Sequence, residues 1–369
     1  MPLDSNIDHV DIVKGLGVIG LITAHSLSLS YIYEVGFYRE PNVEWTFFPY
    51  MIAAARQLVD FVPRLFLLVS GYIISLRYPT SISNLQAFYK RRLLRIYPPL
   101  LVWIPVYYLM EGKFTLTKLI ADIVFIRGSI HLWFVWAILI DYLLFPGMLS
   151  LENRFLRIGP SSVNHRRYVA ILLILLIISS FCNNLLPVSV TSSQFITYTL
   201  NHRILILPDS ILFFAIGIYL ARIGGTDMSV FLCPSRYRIL VLVLATCTAG
   251  IVSYFHQSFD SSLLQRTIRT MLYLACVFSS LSIIPVICSV IMNAGHGIAR
   301  VMGQLGKSSY GIFLGHMAVL KASQAVLHST FNSSPATDIL PLFLITMTVC
   351  CLPVFTKKNN RISTFLGYY

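Results

Sequence analysis

Residues 168–182 read Tyr-Val-Ala-Ile-Leu-Leu-Ile-Leu-Leu-Ile-Ile-Ser-Ser-Phe-Cys, without a single charge. A helix of this sequence is apolar on every face and has no polar stripe to turn toward water. Such a helix belongs inside a large core or inside lipid. Working outward, blocks of the same kind recur at about 12–33, 57–77, 96–110, 131–149, 168–187, 205–222, 239–256, 270–292, 309–327 and 339–355. Blocks of roughly 18–22 residues cross a hydrocarbon core of about 30 Å. Helices satisfy their own backbone hydrogen bonds in lipid, so a helical bundle is expected. A membrane β-barrel would need short alternating segments, and none is visible.

Composition agrees. The chain has 369 residues, 56% hydrophobic and 12% charged, about half the charged share of a soluble domain. Its mean hydropathy is +0.73. The net charge of +13 could suggest nucleic acid in a soluble protein. Here the basic residues sit in short loops between apolar blocks, which is the positive-inside pattern, and no nucleic-acid partner is expected. The seven cysteines are scattered without a C-x-x-C pair. They predict neither a disulfide framework nor a metal site. The N-terminal region carries Asp4, Asp8 and Asp11 against Lys14 alone, unlike a basic signal-peptide leader, so the first helix is expected to be retained.

Charge also sets the number of crossings. The stretch 116–127 is apolar but short, suited to a re-entrant or interfacial segment. If it is left out and the N-terminus is inside, eighteen Lys/Arg fall on the cytoplasmic side and seven outside. If it crossed, the Arg154–Arg167 loop would face outward against the rule. The sequence thus predicts an all-α polytopic bundle of about ten transmembrane helices, with N and C termini cytoplasmic. It forms one domain over 1–369, with the bundle at about 12–355 and a short cytoplasmic tail at 356–369.

Ionisable groups at membrane depth are costly and are functional candidates. His25 lies about 16 Å into the first block at 1.5 Å per residue, near the expected midplane. Lys14 sits three turns earlier on a similar face and can pair with Asp11. His316 lies inside the ninth block. Two buried histidines suit proton transfer or acyl chemistry, because imidazole titrates near neutrality. In Tyr89-Lys90-Arg91-Arg92-Leu93-Leu94-Arg95, Arg91 and Arg95 share a helix face. The cluster reads either as a topology signal on lipid phosphates or as a bidentate phosphate grip. Asp60 and Arg64 are spaced as an i, i+4 pair. Ser70-Gly71, followed by Tyr72, suits close helix packing. His131-Leu132-Trp133-Phe134 opens a helix on the outer side, where the aromatics serve as an interfacial belt or as a sugar platform.

These pieces resemble, in order, the acyltransferase-3 family of bacterial membrane O-acyltransferases. The matching elements are Asp11-x-x-Lys14-Gly15 with His25, then Pro63-x-Leu65-Phe66-x-x-x-Ser70-Gly71-Tyr72. Tyr89-Lys90-Arg91-Arg92-x-x-Arg95-x-x-Pro98 follows. His131-Leu132-Trp133-Phe134 then runs to Asp141-Tyr142 and Pro146, and Gly306 to His316 completes the set. The fourth element looks most like the branch that acetylates surface polysaccharides such as enterobacterial common antigen. Many members carry arginine where Lys14 stands, and lysine lacks the bidentate fork.

The resemblance implies a bacterial inner-membrane enzyme that moves an acyl group, most often acetyl, from cytoplasmic acyl-CoA. The acceptor is a hydroxyl of a surface polysaccharide or lipid-linked oligosaccharide, and no cofactor is tightly bound. His25 and His316 are the expected catalytic residues. Lys14, Arg91, Arg92 and Arg95 would hold the donor phosphates. Asp60, Arg64, Ser70, Tyr72, His131, Trp133 and Tyr310 would contact substrate or oxyanion. His25 as general base and His25 as transient acyl carrier both remain open. A homo-oligomer surrounded by lipid is compatible with the sequence. The rival reading is a transporter or flippase of lipid-linked sugar, but the internal repeats and paired broken helices common in transporters are not visible.

Overall fold

A computed structural model describes residues 9–29, 47–110, 112, 115–126, 130–157, 162–185, 195–224, isolated positions between 237 and 251, and 263–331, 335–355 and 366–368. Among the described residues every regular element is helical. The elements are α1 (His9–Leu27), α2 (Phe47–Val59), α3 (Val62–Arg77), α4 (Leu85–Met110), α5 (Leu116–Phe125), α6 (Trp133–Arg157), α7 (Ser162–Leu185), α8 (Phe195–Gly224), α9 (Leu263–Ala294), α10 (His296–Lys307), α11 (Ser309–Phe331) and α12 (Pro335–Phe355). Among the described residues four stretches are long and apolar enough to cross a membrane: His9–Leu27, Ala54–Arg77, Leu85–Met110 and Trp133–Phe155. The expected span at 239–256 falls largely outside the described residues.

Several boundaries differ from the expected ones for local reasons. α1 begins at His9 and its regular turns end at Leu27. His25 sits in the last turn of that range, and the expected continuation to residue 33 falls mostly outside the described residues. The expected span 57–77 is two helices, α2 and α3, meeting at a turn over Asp60–Phe61. Pro63 lies in the first turn of α3, where its missing N–H costs nothing and where a continuous helix would have lost a bond. α4 starts eleven residues before the expected span at 96, so the whole arginine cluster is helical. It contains Pro98, Pro99 and Pro105.

Glycines let the helices meet backbone to backbone. A side chain on Gly71 would overlap the Phe214 carbonyl of α8, and one on Gly217 would overlap the Leu68 carbonyl of α3. Gly15 and Gly306 answer each other in the same way. The first faces the Met302 carbonyl of α10 and the second the Asp11 carbonyl of α1. This is the small-residue packing that replaces the hydrophobic effect as the driving force between helices in lipid.

Pairwise contacts give the helix directions. On α4 and α6, Tyr89 donates to the Leu143 carbonyl at 3.1 Å, while the Tyr107 and His131 rings meet at 5.1 Å. The two helices are therefore antiparallel. On α4 and α11, Tyr310 donates to the Ile96 carbonyl at 2.8 Å and Trp103 lies on Gly315, so these run together. Gly17 meets Phe66 and Gly20 meets Val62, which sets α1 against α3. On α6 and α8, Ser210 meets Asp141 at 3.4 Å and Arg222 meets Glu152 at 3.7 Å, a parallel pair. Because α4 and α6 run in opposite directions, α5 between them adds no crossing. At ten residues it extends only about 15 Å.

Candidate active site

Three histidines far apart in sequence converge. His25 is in the last turn of α1. His131 sits in the short 3-10 turn Ile130–Leu132 that leads into α6. His316 is two turns into α11. The His25 and His316 ring centroids are 5.0 Å apart, and those of His131 and His316 are 5.1 Å apart. His131 and His316 are both buried, the latter completely.

His316 has a defined tautomer. Its Nδ1 lies 2.6 Å from the Phe313 carbonyl oxygen. A carbonyl only accepts, so Nδ1 carries the proton and Nε2 presents its lone pair. Nε2 is buried and has no hydrogen-bond partner among the described residues. A neutral imidazole placed this way can serve as a base or as a nucleophile. Phe313 flanks it at 5.9 Å and flanks His131 at 5.4 Å. Phe134 stands 5.2 Å beyond Phe313, and Trp133 meets Phe134 edge-on at 6.1 Å.

Two further residues join the site without a signal in the sequence. Tyr107 of α4 is fully buried. Its ring meets His131 and its hydroxyl donates to the Leu314 carbonyl, so one side chain braces two histidine-bearing elements. Arg56 of α2 donates from Nε to the Ser28 hydroxyl at 2.9 Å, one turn beyond His25. That brings a guanidinium to the histidine end of the bundle.

The arginine cluster lies at the other end. Arg91 donates to the Tyr78 hydroxyl at 3.2 Å, while Arg92 sits over the rings of Phe88 at 5.6 Å and Tyr142 at 5.1 Å. Arg95 is exposed. Lys14 pairs with Asp11, as their spacing suggested. Arg92 is held as a cation over aromatic faces, and Arg91 and Arg95 project outward.

Not every expected residue comes to the histidines. Arg64 is tied to its own turn, 3.6 Å from the Asp60 carboxylate and 3.0 Å from the Asp60 carbonyl. Ser70 and Tyr72 lie one to two turns past Phe66 toward the arginine end, beside the crossing of α3 and α8. Tyr72 is buried there in a separate apolar cluster. Tyr310 reaches Ile96 below the site. Among the described residues no group of three or more His, Cys, Asp or Glu is arranged to hold a metal ion.

An apolar helical bundle that gathers histidines inside it and arginines at one end marks a membrane protein. Residues 7–355 match the family described as "Acyltransferase domain". With nearly the whole chain matched, the protein belongs to the acyltransferase-3 family. No curated protein matches it, and no solved structure does.

Proposed function

We propose that the protein is a membrane O-acyltransferase taking an acetyl group from acetyl-CoA at the cytoplasmic face. Its acceptor is a hydroxyl of a surface polysaccharide or lipid-linked sugar. The observation that carries this reading is the Nε2 lone pair of His316, buried, unpaired and 5.0 Å by ring centroid from His25. The same reading gives ten crossings in a bacterial inner membrane, with both termini on the arginine side.

Donor phosphates dock on Arg91, Arg92 and Arg95, assisted by Lys14. From Lys14 to His25 is eleven residues of one helix, about 16 Å, a distance suited to an extended pantetheine arm. At the histidines, an imidazole takes the proton of the acceptor hydroxyl as its oxygen attacks the thioester carbonyl. The carbon–sulfur bond breaks, and the leaving thiolate recovers that proton. Arg56 is positioned to offset negative charge developing near His25. Trp133 and His131 shape the acceptor side.

The test is thiol release from acetyl-CoA by the purified protein with acceptor glycan present. His25→Ala and His316→Ala should each lose about 10²- to 10⁴-fold in turnover. Wild-type turnover in both variants would overturn the assignment. A wild-type protein that releases no thiol would favour the transporter reading.

A further inference from the structure

Residues 366–368, expected in a cytoplasmic tail, fold back onto the bundle. The Tyr368 ring lies on Gly311 of α11, 2.7 Å from where a side chain there would begin, and Tyr368 is only 6% exposed. Gly367 has φ +91, and a Cβ on it would stand 3.2 Å from both the Gly311 Cα and a Tyr310 ring carbon. The turn therefore needs glycine for its conformation and for space. One turn further along α11, the indole of Trp103 fills the space over Gly315, 2.8 Å from a side chain placed there. Gly315 immediately precedes His316. The indole N–H donates to the Leu366 carbonyl at 3.4 Å.

We propose that Leu366–Tyr368 is a positioning element of the acyl-transfer site, fixing Trp103 against the turn of α11 that presents His316. This rests on the acyl-transfer reading for its kinetic part only. Gly311 and Gly315 are the i and i+4 positions of one stripe on α11. The first receives the returning chain and the second the indole that the chain holds. Trp103 in turn lies 6.4 Å by ring centroid from Tyr107, which reaches His131. The C-terminal turn thus supports the histidines through Trp103 and closes the seam between α4 and α11 on the arginine side of them. A segment that only added stability would have no reason to control the rotamer of Trp103.

The full-length protein is compared with a form lacking residues 366–369, with Gly367→Val and with Trp103→Phe. In a background where Trp45, Trp133 and Trp136 are phenylalanine, acrylamide quenching reports Trp103 alone. Loss of the segment should raise its quenching about twofold and shift emission to the red, as local opening exposes it. Unchanged quenching would overturn the proposal whatever the enzyme does. In the otherwise native protein, kcat should fall about ten- to a hundredfold on a displacement of this size, with the KM for acyl-CoA steady. Trp103→Phe should lower kcat in the same direction, and combining it with the deletion should add nothing, because the two act through one contact. Losses that multiply, or a deletion that moves KM and not kcat, would refute the coupling. A wild-type protein inert toward every acyl-CoA would sink the acyl-transfer reading instead, leaving the quenching result to decide the contact.

Discussion

Replacing Tyr107 by phenylalanine removes one oxygen and leaves the ring against His131 in place. The lost group is the donor to the Leu314 carbonyl, two residues before His316. A neutral hydrogen bond contributes about 0.5–1.5 kcal/mol net, and a buried acceptor left without any partner costs about 1–3. The Leu314 carbonyl lies within the regular turns of α11 and keeps its place in the helical ladder. The lower range applies, so a loss near 1 kcal/mol is expected. If that energy is what holds the two histidine elements in register, kcat should fall about fivefold, since 1.4 kcal/mol is tenfold. The KM for acyl-CoA should not move, because Arg95 stands twelve residues earlier on the same helix, about 18 Å away. Tyr107→Leu removes the ring as well and should be worse by a further factor of about ten. Steady-state thiol release with acceptor in excess measures both parameters. A Tyr107→Phe protein with native kcat, beside an equally active Tyr107→Leu, would refute the bracing role.

Other perturbations separate scaffold from site. Gly71→Val pushes a side chain into the Phe214 carbonyl at the α3–α8 crossing and should cost at least about 1–3 kcal/mol, read as earlier thermal aggregation in detergent. Arg222→Met leaves Glu152, which is fully buried, without its cation. It should destabilise by about 3–5 kcal/mol, while adding Glu152→Gln should recover most of the loss. Arg95→Ala should raise the KM for acyl-CoA severalfold and leave kcat near native. That penalty should shrink toward 1 M salt, where screening shortens the reach of surface charge to about 3 Å.

What could be read from the sequence follows from which forces act locally. His25 and His316 were legible because an ionisable residue among apolar neighbours is expensive wherever the chain goes, whereas His131 was read as part of an outer-side aromatic element and only the fold brings its ring to His316. That 116–127 does not cross was expected from the Arg154–Arg167 loop, which would otherwise face outward, and the antiparallel run of α4 and α6 agrees. Tyr107 and Arg56 were not legible. A tyrosine near a helix end resembles an interfacial belt residue, and an arginine beside a helix resembles a topology signal. Only the approach of α11 and α1 gives them work. Gly15 and Gly306 carry the same lesson. Each is an unremarkable glycine until the partner helix brings a backbone carbonyl against it, Met302 for Gly15 and Asp11 for Gly306.

The two chemical ends of the molecule are built on the same helices. α1 carries Lys14 and then His25, and α4 carries Arg92 and Arg95 and then Tyr107. The separations are about 16 and 18 Å at the helical rise, and α1 and α4 point the same way. Neither distance depends on a loop. A helix does not stretch, so the gap between the basic groups and the histidine end is set by residue count alone. In the proposed acyl transfer the donor would bring its own tether of matching length. Under the acyl transfer proposed above, these two parallel helices act as a ruler that would join the charge cluster and the histidines, so far apart in space, into a single site. The antiparallel α3 and α6 between them have another task. α6 delivers His131 from the opposite direction, so the third imidazole enters from its own end of the bundle and closes over the pair formed by His25 and His316.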